Sequence, residues 1–172
     1  MTPPIPLQPG DTLLYSRSDI FGLITALKTW SPAVHVEKYE GNNLSLASRN
    51  GIGVNRYPLR LAQLCAVLRP KQPLDMDAVR KWFEVPHSPL YLDGGVRGRP
   101  YGWLDLLRFY GLRIPTEGWI CSQFAALADR AGGLASFARE YYAGTIDPGD
   151  FFLSPAYDWE WVRPDVREQI TQ

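Results

Sequence analysis

The stretch from Ala33 to Tyr57 limits the folds open to this chain more than any other. Three short strand-like segments, Ala33 to Tyr39, Leu44 to Ser48 and Gly53 to Tyr57, are separated by Glu40-Gly41-Asn42-Asn43 and Arg49-Asn50-Gly51. Gly and Asn tolerate the positive φ that tight hairpins demand, so the stretch predicts an antiparallel meander. Two further strands are expected: Thr12 to Tyr15, entered through Pro9-Gly10-Asp11, and Leu64 to Leu68. Helical spacing is expected from Ser18 to Trp30, where Ser31-Pro32 ends it, and from Met76 to Phe83, with Val79, Trp82 and Phe83 on one face. It recurs from Trp103 to Tyr110, from Cys121 to the stop at Gly132-Gly133, and from Leu134 to Tyr142. Strands gathered before helices predict an α+β fold, and 172 residues suit one domain with a proper core across 1–172. Pro86 to Arg99 and Gly111 to Gly118 read as loops. The turn-rich, aromatic tail from Asp147 to Pro155 is expected to pack back onto the core.

Composition narrows the chemistry. The 18 basic and 18 acidic residues cancel without any block of like charge, so neither nucleic acid nor an anionic membrane is the expected partner. Met-Thr-Pro-Pro-Ile-Pro lacks the pattern of a secretory signal, which predicts a cytoplasmic protein as encoded, with export by a specialised route left open. No apolar run approaches the roughly 18 residues of a spanning helix, so no transmembrane segment is expected. Two histidines and two cysteines at unrelated spacings give no metal site, and Gly94-Gly95-Val96-Arg97-Gly98 lacks the strand and helix that flank a phosphate loop. No cofactor is expected, and the oligomeric state is left open.

One residue stands out against that background. Phe124, Leu127 and Ala128 recur at helical spacing behind Cys121, which places its thiol at or near the helix N-cap. There the positive end of the helix dipole and the unpaired amide donors lower a thiol pKa, the usual route to a cysteine nucleophile. A nucleophile needs a base, and only His35 and His87 offer one. In Val34-His35-Val36-Glu37, alternation turns His35 and Glu37 to one face of a strand and the valines to the other, whereas His87 falls in a proline-rich loop. Cys65, within the apolar strand Leu64-Cys65-Ala66-Val67-Leu68, reads as core filler.

Pro9-Gly10-Asp11, the segment Ser31 to Gly41, Gly53-Val54 with Pro58-Leu59, Tyr101, Cys121-Ser122, and the closing run Asp147-Pro148-Gly149-Asp150 to Ser154-Pro155 stand in a telling order. The chain resembles the circularly permuted papain-like amidases, relatives of the NlpC-type cell-wall peptidases, in which the histidine strand precedes the cysteine helix. The resemblance rests on order and spacing across roughly 145 residues rather than on any single motif. It implies a circularly permuted papain-like (NlpC-like) fold, an antiparallel sheet packed against helices with the nucleophile at a helix N-terminus. It implies a cysteine hydrolase in which Cys121 attacks the carbonyl of a peptide-like or acyl substrate, such as peptidoglycan-like peptides, and His35 is the general base. A third polar group on the following strand would orient the ring. The position six residues before Val54 is Ser48, where the family commonly has Glu or His; Asn50 is an alternative, as is Glu37, which would have to reach along its own strand. Trp119, Tyr101, Trp103 and Tyr15 are candidate groove walls, although a chain with 22 Phe, Trp and Tyr residues must bury most of them. Two other readings remain open: a non-catalytic binding or structural module on the same fold, and an acyltransferase or lipid esterase of the lecithin retinol acyltransferase type.

Overall fold

A computed structural model of the protein describes residues 3–16, 31–87, 96–102, 118–137 and 146–171. Its centre is a six-stranded antiparallel sheet: β1 (Thr12–Ser16), β2 (Ala33–Gly41), β3 (Leu44–Arg49), β4 (Gly53–Pro58), β5 (Leu64–Pro70) and β6 (Tyr157–Val162), in the spatial order β4-β3-β2-β1-β5-β6. Four helices accompany it among the described residues: α1 (Met76–Phe83), α2 (Cys121–Ala131), α3 (Asp150–Leu153) and α4 (Pro164–Ile170), an α+β architecture. The expected helices Ser18 to Trp30 and Trp103 to Tyr110 lie outside the described residues, as does 88–95 of the expected Pro86 to Arg99 loop. Of the expected helix Leu134 to Tyr142, residues 134–137 are not helical and 138–142 lie outside the described residues. Gly133 takes a φ of +86° and the Leu134 N–H closes onto the Asp129 carbonyl, which ends the preceding helix and turns the chain away.

The hairpin signals act as their chemistry dictates. Asn42 and Asn43 both adopt positive φ, 52° and 60°, which matches the strand twist across the β2–β3 turn. Gly53 opens β4 at φ +87°, and a Cβ there would lie 2.2 Å from the Arg99 carbonyl oxygen, which accepts the Val54 N–H at 2.8 Å. Only glycine fits that approach. Asp75 caps α1 by accepting from the Asp77 and Ala78 N–H groups, and Val79 and Phe83 are buried beneath it.

Helices cover one face of the sheet. There Leu14, Val36 and Leu68 pack with Ala125 and Ala126 of α2 and Val166 of α4, while Leu46 and Val54 meet Val79, Phe83 and Phe124. The opposite face buries Leu13, Tyr15, Leu64 and Val67 under Ile5, Leu7, Leu59 and Leu61. The tail packs back as expected, burying Phe151 and Phe152, and then adds the edge strand β6, which sequence reasoning left unassigned. Leu68 faces Trp159 and Val67 faces Trp161, so Glu160 is an extra residue, a bulge that sends the two indoles to opposite faces.

One irregularity positions everything that follows. The β2–β3 ladder runs only from Gly41↔Leu44 to Lys38↔Leu46 and then opens, although β3 continues alongside β4 to Arg49. The edge of β2 from Ala33 to Glu37 is left free of β3. The N-terminal end of α2 fills that gap.

Candidate active site

Cys121 is the first residue of α2 after its N-cap, Ile120. The Gln123 side chain reaches back to accept the Ile120 N–H at 3.1 Å, which fixes the first turn. Ser122 donates to the Ile146 carbonyl at 2.5 Å, tying the helix start to the closing turn, and Gly149 in that turn leaves no room for a Cβ against Ser31, 2.7 Å from its Oγ. Ser31 Oγ in turn accepts the Ala33 N–H at the head of β2. The Cys-Ser pair, the head of the histidine strand and the late Asp-Pro-Gly-Asp run thus meet at one place.

His35 lies on β2 opposite Tyr15 of β1, and its side chain is 15% exposed. Its Nε2 is 2.9 Å from Glu37 Oε1, leaving Nδ1 as the ring nitrogen open to the Cys121 thiol, with whose charge the ring interacts. The Val36 N–H, which the open ladder leaves without a strand partner, and the Ser122 N–H also favour the thiolate at that sulfur. The thiol therefore sits at the edge of β2, within reach of His35 on one face and of Val36 on the strand's free side.

Burial alone favours the neutral form of both groups, and each reverses that for the other. The imidazolium beside it, with the two backbone donors, holds the Cys121 thiol below its ordinary value. The thiolate and Glu37 together lift His35 from 6.5 to about 9 despite its burial. Between those limits the pair is a thiolate and an imidazolium, the state that attacks electrophilic carbon. Cys65 is the contrast: burial pushes its thiol up to about 12, and it is core filler as the sequence implies.

Glu37 is fully buried yet amply partnered. Oε1 accepts from His35 Nε2, Arg49 Nε at 2.8 Å and Arg60 Nη2 at 3.1 Å; Oε2 accepts from Arg49 Nη2 at 3.1 Å and from Ser45 Oγ. Burial opposes its ionisation, but the donation from His35 and Arg49 keeps the carboxyl well below the usual carboxylate range. Positions i and i+2 share a strand face, and two long side chains span the gap between them, so the reach along the strand is short after all.

Ser48, placed at the orienting position by sequence spacing, lies elsewhere. Its hydroxyl donates to the Trp119 carbonyl at 2.6 Å, holding the segment that enters α2. With the ladder continued, Ser48 would face Val36; instead Trp119 to Cys121 comes between them. Asn50 is exposed in the β3–β4 turn. His87 follows α1, its N–H donating to the Arg97 carbonyl. Of the candidate groove walls, Tyr15 is buried in the sheet core, and Tyr101 is half-buried and bridges to Trp119. The Trp119 ring is occupied by Trp82, stacked at 5.9 Å, and by the Arg99 guanidinium at 4.2 Å, while Trp103 lies outside the described residues. Sequence reasoning missed Ser45, Arg49 and Arg60. Ser45 and Arg49 share a face of β3 by their even spacing, but only the pairing of Tyr39 with Ser45 reveals that this is the face of Glu37.

No group of three or more metal-ligating side chains occurs among the described residues, and no helix among them is long and apolar enough to cross a membrane. No protein-family model matches the sequence, and no curated protein matches it.

Proposed function

We propose that this protein is a cysteine hydrolase of the amidase or peptidase type, acting by acyl transfer through Cys121 and His35. The observation that carries the reading is the meeting of a helix-start thiol, an imidazole and a buried carboxylate, the imidazole hydrogen-bonded to the carboxylate and electrostatically coupled to the thiol. Cys121 Sγ attacks the carbonyl carbon of a peptide-like or acyl substrate. The resulting oxyanion is met by the Cys121 N–H, a first-turn amide with no acceptor inside its own helix. His35 passes its Nδ1 proton to the leaving group, then takes a proton from the water that hydrolyses the thioester. Glu37 stays ionised throughout and keeps the ring upright. The order of the parts, a histidine strand ahead of a cysteine helix, supports a circularly permuted papain-like arrangement, and with it peptidoglycan-like peptides as the substrates to try first.

The rate of Cys121 alkylation against pH tests this, in a Cys65→Ala background that silences the other thiol. An apparent thiol pKa well below about 8.5 that rises when His35 is replaced by Ala supports the reading. An ordinary thiol indifferent to His35 overturns it.

A further inference from the structure

We propose that Arg49 is a positioning residue of this site: by locking the Glu37 carboxylate in one orientation, it holds the His35 ring with Nδ1 toward Cys121. The proposal rests on Cys121 and His35 acting as an activated pair. A glutamate has three rotatable side-chain bonds, and one that orients a ring from its own strand needs a fixed carboxylate plane. Arg49 supplies the plane. Its guanidinium forks onto both oxygens, Nε to Oε1 at 2.8 Å and Nη2 to Oε2 at 3.1 Å, and the rigid fork matches a carboxylate as no ammonium can. The guanidinium is itself anchored, with Nη2 donating to the Pro58 carbonyl at 3.0 Å and the Tyr57 ring lying 4.2 Å beneath it. Arg49 ends β3 beyond the last β2–β3 pair, so its side chain crosses the opening that admits α2 and joins the two strands where their backbones no longer do.

Arg60 is less suited to the role. It gives Glu37 one bond at 3.1 Å, its side chain is 33% exposed, and its buried Nε has no partner. Among the described residues the charged and titratable groups around the ring are Cys121 from α2, Glu37 from β2 and Tyr15 from β1; those around Glu37 are Arg49 from β3, Arg60 from the β4–β5 connection, and Tyr15. Arg49 reaches the thiol only through Glu37.

A double-mutant cycle on the thiol pKa, read by alkylation against pH, decides the matter. Arg49→Gln and Glu37→Gln are each expected to raise the apparent thiol pKa by about one unit, and the double variant to raise it no further, because the arginine acts through the glutamate. Arg49→Lys keeps the charge without the fork and is expected to behave like Arg49→Gln. Additive effects, an unchanged pKa in Arg49→Gln, or full rescue by lysine would each overturn the proposal. Should Glu37→Gln not fold, Arg49→Gln and Arg49→Lys decide it, with nitrogen NMR of the His35 ring: a loosened Nε2 bond supports the proposal and an unchanged one refutes it. Failure of the hydrolase reading looks different, since the thiol would then be ordinary before Arg49 is touched.

Discussion

Glu37 and Lys38 are neighbours on β2, both fully buried, opposite in charge and turned to opposite faces of the sheet. Each anchors a polar cluster, and the two clusters do different work. Lys38 pairs with Asp129 of α2 at 2.5 Å and donates to Thr12 of β1 at 2.6 Å, while Tyr157 donates its hydroxyl to Asp129 and lies below the ammonium. Both charged side chains of that ion pair are completely buried, so the cluster clasps helix to sheet away from solvent. The Glu37 cluster ends in partly exposed groups, His35, Arg49 and Arg60, and includes a proton that can leave. Similar chemistry thus serves structure where it is sealed and, in the function proposed above, reactivity where one end is open.

Removing one charge from the sealed cluster is expected to give the largest effect. Lys38→Met leaves Asp129 buried without its cation and should lower stability by about 3–5 kcal/mol in urea unfolding, with the Cys121 thiol pKa unchanged. Pairing it with Asp129→Leu should restore most of the loss, as apolar packing commonly replaces a buried ion pair without cost. A shift of the thiol pKa in folded Lys38→Met would break the division between the clusters.

The open cluster should instead reveal itself through pH. His35 is raised above its unfolded value, so its contribution is full below about 6.5 and is lost as pH rises through about 9. Cys121 is lowered, so its contribution is full above about 8.5 and is lost as pH falls toward its folded value. Between about pH 6.5 and 8.5 the two slopes cancel; below about 6.5 the unfolded chain takes up a proton that the folded pair refuses. The stability of the native protein minus that of His35→Ala should therefore decline with acid from about pH 6.5 downward, read from urea midpoints. A difference that stays level across that range would remove the ion pair. The alkylation rate should show the same pair as a plateau whose alkaline limb lies near pH 9, where the ring loses its proton.

Ser48→Ala should give the smallest change. It removes one hydrogen bond to Trp119 and should cost about 1 kcal/mol, leaving the His35 ring and its titration as they were. A shifted His35 titration would return Ser48 to the orienting role.

Sequence alone reached most of the sheet, and it reached the thiol and the imidazole of the candidate site. The extents of β2 to β4 came within two residues because Gly and Asn mark their turns, that of β5 because its apolar run stops at Arg69-Pro70, and α1 was placed from Met76 to Phe83 because Val79, Trp82 and Phe83 leave one face for burial. Cys121 at a helix start and His35 on a strand face follow from local periodicity. The orienting group could not be read that way. Choosing Glu37 over Ser48 requires knowing that the β2–β3 ladder opens at Lys38 and Leu46, and it opens around a segment 71 residues from Ser48 in the chain. The edge strand β6 carried a signal, aromatic residues alternating with Asp158 and Glu160, that was left unused. Its bulge shows why alternation by itself would have misassigned the face of one indole.

The opened ladder has a consequence for the order of events during synthesis. The strand bearing His35 and its hairpin partner leave the ribosome long before Trp119 and Cys121, so the nascent chain carries an unfinished edge that only a much later segment can close. A thiol that is ordinary in an unstructured chain gains the imidazole beside it only when the late segment docks there. Thiol and imidazole therefore meet only after the chain from β1 to the head of α2 has been made.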